Sequence, residues 1–208
     1  MDIAVLIKQV PDTDEVKMDP EKGTMVRDGV GSIINPLDLN ALQEALKLKK
    51  ETDGTVTVVS MGPPQAEEAL REGIALGADR AVLVTDRLFA GADTWATARV
   101  LAATLEKTGP FDLFLAGEKA TDGETGQVGP EVAVMMKVPF STYVSEVGLE
   151  GSRLKVRRTV EEGIHVQSLP TPCLLTVLHD LNEPGMPTLA GKMKARRSKV
   201  EKLTLADL

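Results

Sequence analysis

Apolar and polar residues alternate along this chain in blocks, and the blocks switch period. Ile3–Val10 is a β-rich run that is apolar apart from Lys8 and Gln9, as expected of a central strand covered on both faces. Pro11-Asp12-Thr13-Asp14 stops it. Val16–Met18 and Thr24–Arg27 flank turn chemistry at Asp19–Gly23, which predicts a small hairpin. Asn35-Pro36-Leu37-Asp38 then reads as a helix start. Asn35 suits an N-cap, Pro36 the first helical position, and Asp38 the positive end of the helix. Leu39, Leu42 and Leu46 follow on one helical face.

The same alternation repeats downstream. Thr55–Ser60 is a second strand, and Met61-Gly62-Pro63-Pro64 turns into a helix whose stripe is Ala66, Ala69, Leu70, Gly73 and Ile74. Gly77-Ala78-Asp79 ends that helix and Ala81–Val84 is a third strand. Phe89–Thr94 is a loop carrying a capping signal, before a helix with Ala98, Leu101, Ala102 and Leu105 on its face. Gly109-Pro110 closes it, Phe111–Ala116 is a fourth strand, and Glu131–Val138 reads as the next helix. This βαβα order predicts right-handed crossovers and a parallel sheet with helices on both faces. After Pro139 the period changes. Ser141–Val147, Arg153–Val160 and His165–Leu169 read as antiparallel strands, and Cys173–Val177 as a return to the main sheet. Leu181–Gly185 is a turn, and Lys192–Arg197 has room for one or two helical turns. The expected division is a single α/β nucleotide-binding domain over 1–185 and a basic loop and tail over 186–208.

Between the fourth strand and its helix lies Gly117–Pro130, GEKATDGETGQVGP. Strand, Gly-rich polar turn and helix is how α/β proteins build phosphate sites, because small residues admit the ligand and the first helical N–H groups face the anion. An ordinary capped connection has the same appearance. What raises the nucleotide reading is convergence. Lys8–Asp12, Asn35–Asp38, Met61–Pro64 and Gly117–Pro130 all lie at the C-terminal strand edge, where such sheets bind ligands.

Composition narrows the function. The 208 residues carry a net charge of −7, which argues against general nucleic-acid binding. From Gly191 to Leu208 the balance reverses, with six Lys/Arg against two Asp/Glu, so this end reads as a docking surface or a flexible end. One Trp, one Tyr and four Phe leave the core to Val, Leu, Ile, Ala and Met. Cys173 is the single cysteine and sits in an apolar run, as a structural thiol does. No apolar run is long enough to span a bilayer, and Met1–Val10 lacks a signal-peptide pattern, so a reducing compartment is expected.

Self-contained catalytic chemistry is missing from the pattern. His165 and His179 have no metal-ligand spacing. There is no nucleophile elbow, Walker A lysine or Gly-x-Gly-x-x-Gly fingerprint, nor the Ser-Gly-Gly loop of an amide-forming ATP pyrophosphatase after the first strand. Asp122 and Glu124 are a carboxylate pair capable of acid–base work or metal binding, but turn and capping roles are favoured beside Gly and Thr. The residues describe a binder of a nucleotide-like ligand.

Several stretches together resemble the electron transfer flavoprotein β subunit. They are Ile7–Asp12 (IKQVPD), Asn35-Pro36, Ser60–Pro63, Gly77–Arg80 and Ala120–Pro130, with Val156 to Leu175, Leu181–Pro184, Thr188-Leu189 and Met193–Ala195 further on. The resemblance implies the adenine-nucleotide α-hydrolase-like fold with a small antiparallel C-terminal extension. It also implies an electron carrier rather than an enzyme, paired as a heterodimer with a larger α subunit that holds most of a redox FAD. The β pocket of this family holds AMP, or a second FAD in the bifurcating branch. Positions carried over to it are Leu6, Asn35, Pro36, Leu37, Asp38, Met61, Ala120, Thr121, Asp122, Gly123, Glu124, Thr125, Gly126, Gln127, Val128, Gly129, Pro130 and Glu131. Partner docking maps to Leu189, with Met193, Lys194, Arg196 and Arg197 beside it, and the partners implied are acyl-CoA dehydrogenases or related flavin dehydrogenases. Arg87–Trp95 is more like the branch whose pocket takes FAD, with Gln9, Thr94 and Thr97 as further polar contacts. Family members usually continue past the position of Leu208 into an arm that embraces α, which bears on heterodimer strength. The implied location is the cytoplasm, or the mitochondrial matrix in a eukaryote. The alternative from the residues alone is a free-standing ATP-binding stress or regulatory protein of the same fold.

Overall fold

The structure, a computed structural model, describes residues 1–12, 17–18, 25–26 and 31–208. Its centre is one nine-stranded sheet built from β1 (Asp2–Leu6), β6 (Thr55–Met61), β7 (Arg80–Val84), β8 (Leu113–Gly117), β9 (Phe140–Glu150), β10 (Arg153–Val160), β11 (Gly163–Pro170), β12 (Cys173–Val177) and β13 (Glu201–Leu203). The order across the sheet is β11-β10-β9-β12-β8-β1-β6-β7-β13. The seven strands from β9 to β13 run parallel, and β10 and β11 extend that sheet antiparallel at one edge. The antiparallel segment is thus a continuation of the main sheet, because β9 pairs parallel with β12 on one side and antiparallel with β10 on the other.

The helices are α1 (Pro36–Thr52), α2 (Glu67–Leu76), α3 (Thr94–Thr108), α4 (Val128–Met135) and α5 (Leu189–Arg197). Side-chain alternation along the strands divides the core into two layers. Ile3, Val5, Leu113 and Leu115 face α1 and α2, where Leu42, Leu48, Leu70 and Ile74 are buried. Ala4, Leu6, Phe114 and Ala116 face α3 and α4, meeting Leu101, Leu105, Val132 and Ala133. The predicted parallel sheet covered on both faces is what forms. The chain runs outward from β1 through β6 to β7, then crosses to β8 on the other side of β1. The C-terminal ends of β1 and β8 therefore flank the point where the strand order reverses.

Two local departures have physical causes. The first strand ends at Leu6 rather than Val10. The Lys8 N–H is drawn to the Asp38 carboxylate at 2.8 Å, and Gln9–Pro11 forms a separate strand, β2, antiparallel to β5 (Ser32–Ile34). Helix α4 begins three residues before Glu131, because the Gly-rich turn ends at a positive-φ Gly126 and the chain is free to coil directly after it. The expected hairpin shows its pairing, β3 (Lys17–Met18) against β4 (Met25–Val26), while its turn at 19–24 lies outside the described residues.

The basic end is the largest departure. Within the residues read as a loop and tail, the one or two helical turns given room at Lys192–Arg197 extend to the helix α5, a strand β13 follows, and both lie on the body. Thr188 caps α5, its hydroxyl accepting the Gly191 N–H at 3.0 Å. Arg71 of α2 donates to the carbonyls of Ala195 at 2.8 Å and Ser198 at 3.2 Å, satisfying the last turn of α5 and the residue beyond it. Lys202 pairs with Glu67 at 2.7 Å as β13 joins β7. A Cβ on Gly191 would fall on the Ala75 carbonyl oxygen, so α5 and α2 touch backbone to backbone there. Gly191→Ala should therefore lower stability by about 1–3 kcal/mol, the usual cost of overpacking, read as a lower urea midpoint with an unchanged m-value.

Candidate functional site

A cleft of about 1110 Å³ opens at the C-terminal edge of the sheet. Its floor begins with Leu6, Ile7 and Lys8 at the end of β1, Val59 and Met61 of β6, and Ala116 and Gly117 of β8. One wall is the turn after β6 (Gly62, Pro63, Pro64) with Thr85–Arg87 and Phe89–Asp93 after β7, continuing into Thr94, Thr97 and Leu101 of α3. The opposite wall is Glu118, Lys119, Ala120 and Gly123–Gln127, ending at Val128 and Gly129 of α4. The four convergent loops expected from the strand pattern thus meet. Gln9 lies just outside, in a smaller hollow of about 170 Å³ that shares Lys8, Met61, Gly62 and Pro63 with the main cleft.

Asp38 holds the floor together. It is buried in the first turn of α1, where Oδ2 accepts the Lys8 N–H at 2.8 Å and Oδ1 accepts the Gly117 N–H at 3.0 Å. One carboxylate thereby clamps the ends of β1 and β8, the two strands flanking the switch point. Gly117 has to be small, since a Cβ there would meet Asp38 Oδ1 at 2.5 Å and Leu37 Cβ at 2.7 Å. Burial pushes the Asp38 carboxyl up to about 7, against the opposing pull of the Asn35 side chain and the Lys8 and Gly117 N–H groups.

Asn35 occupies the N-cap position of α1 without capping it. Its side chain crosses to the opposite wall instead. Nδ2 donates to the Lys119 carbonyl at 2.9 Å, and Oδ1 accepts the Thr121 N–H at 3.2 Å. The loop after β8 is thus fastened at 119–121 and leaves Gly123–Gln127 to face the cleft. Asp122 turns to Lys8, Nζ lying 2.7 Å from the carboxylate, and Glu124 lies 3.3 Å from Lys119 Nζ. The two loop carboxylates thus take separate lysines, and among the described residues no group of three His, Cys, Asp or Glu gathers as a metal site.

Helix α4 begins at the cleft with Gln127 before it and no side-chain cap, so its first N–H groups are left for solvent or a ligand. Gly126 has φ +62°, and a Cβ there would come within 2.9 Å of Glu118 Oε1. Thr94 Oγ1 lies 3.2 Å from Gln127 Oε1 and 3.1 Å from Glu131 Oε1, tying α3 to α4 at the cleft edge. Glu131 Oε2 and Thr176 Oγ1 are buried without a hydrogen-bond partner. An uncapped helix start beside small residues, above an apolar floor, is an arrangement that could take a phosphate-bearing ligand.

Of the pocket positions carried over from the family, Leu6, Asp38, Met61, Ala120 and Gly123–Gly129 line the cleft. Asn35, Thr121 and Asp122 position its loop. Leu37 lies against Gly117 and Pro36 opens α1 as an exposed first residue, while Pro130 and Glu131 sit in the first turn of α4 behind the lining. Gly117–Lys119, Thr85 and Asp86 also line it. The apolar run ending at Val84 marks Thr85 and Asp86 as strand-end residues, the signal that could have found them.

The docking positions sit apart, on α5. Leu189 is 77% exposed, Met193 47%, and Met186 just upstream 92%. Arg196 and Arg197 are exposed, but Lys194 donates to the Ala78 carbonyl at 3.0 Å and so also fixes α5 to the end of α2. Cys173 is buried, and burial raises its thiol to about 11, consistent with an inert core residue.

The fold and the cleft define an α/β protein with one large strand-end site and an exposed apolar knob on a basic helix. Residues 22–208 match the electron transfer flavoprotein domain. The chain is 50% identical over 207 residues to the electron transfer flavoprotein subunit beta of Thermoanaerobacterium thermosaccharolyticum, covering 100% of this chain and 79% of that one. It is 52% identical over 196 residues to the caffeyl-CoA reductase-Etf complex subunit CarD of Acetobacterium woodii, covering 94% and 75%. Protein FixA of Azorhizobium caulinodans is 43% identical over 207 residues, covering 96% and 74%. The chain belongs to the electron transfer flavoprotein β-subunit family, which includes FixA, and its role is electron transfer. No helix among the described residues is long and apolar enough to cross a membrane.

Asp38 generates a pH test. Its folded value of about 7 lies above the ordinary 3.8, so between these values the native state binds the extra proton. Stability from this group is fully present below pH 3.8 and is lost as pH rises through about 7. Between about pH 5 and about pH 8 the loss is at most roughly 3 kcal/mol. Asp38→Asn should flatten that part of the urea-midpoint profile while lowering stability at its acidic end, because one of the two N–H groups loses its acceptor.

Proposed function

We propose that this chain is the β subunit of an electron transfer flavoprotein whose cleft holds an adenine nucleotide, AMP or FAD. It pairs with a larger α subunit that carries the working FAD, and the pair moves electrons from flavin dehydrogenases, such as acyl-CoA dehydrogenases, to an acceptor. The observation that carries the reading is the cleft. An uncapped helix start, a positive-φ glycine and an apolar floor converge at the switch point of the sheet. Bound flavin supplies the one- and two-electron chemistry. The chain's own residues orient and enclose the ligand: Asp38 and Asn35 hold the floor and loop, and the first turn of α4 faces the phosphate. The cytoplasm suits such a carrier, and the family assignment outweighs the free-standing ATP-binding alternative.

Docking follows from Leu189. A single exposed leucine with Met186 and Met193 near it offers a small apolar anchor, and Arg196 and Arg197 steer an acidic partner. Small anchored contacts of this kind release quickly, as a carrier serving several dehydrogenases requires.

Two measurements test the reading. Denaturing the purified protein should release AMP or FAD from this chain; release of no adenine nucleotide, with none taken up after adding α, would sink it. Leu189→Ala should leave folding and bound nucleotide unchanged and slow electron transfer from a dehydrogenase about tenfold or more, given the ~1.5–3 kcal/mol of a buried leucine. Unchanged kinetics in a stopped-flow assay would remove Leu189 from the docking surface.

A further inference from the structure

Helix α1 carries a polar stripe that the cleft does not use. Asn40, Gln43, Glu44 and Lys47 stand at i, i+3, i+4 and i+7, so they share one face. Asn40 and Glu44 are buried, at 4% and 1% exposure. A buried amide or carboxylate is costly unless it finds hydrogen-bond partners. Theirs come from far along the chain, in the segment between β12 and α5. Asn40 Nδ2 donates to the Asn182 carbonyl at 2.7 Å. Asn182 Nδ2 donates back to the Asn40 carbonyl at 3.1 Å and to Glu44 Oε2 at 3.3 Å. Gln43 Oε1 accepts the Gly185 N–H at 3.1 Å. Lys47 completes the stripe, its Nζ 2.9 Å from Glu44 Oε1. Leu181, beside this clamp, packs against the core.

The far end of the same segment is held at the end of α2. Lys194 Nζ donates to the Ala78 carbonyl at 3.0 Å and lies 3.9 Å from the Asp79 carboxylate. Asp79 is itself fixed, accepting from Lys49 Nζ at 2.7 Å and from the Val56 N–H at 2.9 Å. Between the two anchors Met186 and Leu189 project, 92% and 77% exposed. An apolar knob held at both ends is formed before any partner arrives. A free loop of the same sequence has to be ordered at every encounter, and the cost of that ordering is subtracted from the contact energy. A carrier with one small anchor has little contact energy to lose.

We propose that Asn182 is a positioning residue for partner docking: clamped to α1 through Asn40 and Glu44, it holds the segment that presents Met186 and Leu189 to a flavin dehydrogenase. The inference rests on the docking reading above and goes beyond it by naming residues outside the contact surface that set its affinity. It also gives the buried carboxylate of Glu44 a task, as an acceptor for Asn182.

The test uses the heterodimer with its α subunit as electron acceptor of an acyl-CoA dehydrogenase in steady state, with Leu189→Ala measured alongside. Asn182→Ala should raise the KM for the heterodimer about tenfold at unchanged kcat, because the segment then has to be ordered at each encounter. Bound nucleotide and circular dichroism should match wild type, while hydrogen exchange of the Gly185 amide quickens. Gln43 is only half-buried, and Gln43→Ala removes the Gly185 contact alone. It should raise KM by about threefold, the share of one neutral hydrogen bond, and it serves if Asn182→Ala folds poorly. Unchanged KM in these variants, with Leu189→Ala impaired, would overturn the inference and leave the docking surface in place. A fall in kcat at unchanged KM would overturn it too, since the effect would then lie in electron transfer and not in docking. An unchanged KM for Leu189→Ala would remove the docking reading, and the inference with it.

Discussion

The site depends on one buried carboxylate. Asp38 accepts backbone N–H groups from the ends of β1 and β8, the two strands where the sheet changes direction. At that point the strands part, their chains leave in different directions, and backbone donors lose their ladder partners. A short acidic side chain from the first turn of α1 satisfies both donors at once. The desolvation it suffers raises its proton affinity, so the cleft floor is itself sensitive to pH near neutrality. Asn35, three residues earlier, extends the clamp to the 119–121 loop. The start of α1 thus fixes the cleft floor and the wall formed by the loop after β8.

Around that floor the charges are arranged with economy. The lysines of the floor and of the loop wall, Lys8 and Lys119, are matched by carboxylates of the loop itself, which holds the loop shape and lowers the net field in the cleft. What remains for an incoming anion is the positive start of α4. Paired surface charges of this kind contribute little to stability, ~0–1 kcal/mol each, so their effect lies in orienting the loop.

The docking side is built by a different principle. α5 is too short and too polar to be stable alone, and it persists because Arg71 and Lys194 hold it and because Gly191 lets it touch α2. That leaves Leu189 and Met186 projecting from a fixed support instead of a free tail. None of the residues that line the cleft belongs to α5 or to the α2 residues that hold it.

Much of this was legible in the residues. The switch of period after Pro139, the apolar runs of β6, β7, β8 and β12, and the Gly-rich turn at 117–130 were enough to place strands, helices and the candidate loops, because burial on two faces forces continuous apolar runs and tight backbone approach demands glycine. Asn35 was legible at the helix start but misread as a side-chain cap, and Asp38 stands in the first turn as expected while its long-range clamp went unread, since a local role and a long-range one present the same side chains. The Arg87–Trp95 wall was marked only through the resemblance, and the Lys8–Asp122 pairing could not be read, for it joins positions far apart in sequence. Strand β13 escaped for the same reason: Glu201–Leu203 has no apolar run of its own and becomes a strand only because β7 offers it an open edge. The sequence by itself determined the layers, the sheet type and the edge at which the cleft opens, all set by local periodicity. Tertiary structure alone decided which polar groups face each other across that cleft, because such pairings depend on strand order and crossover direction rather than on neighbours along the chain.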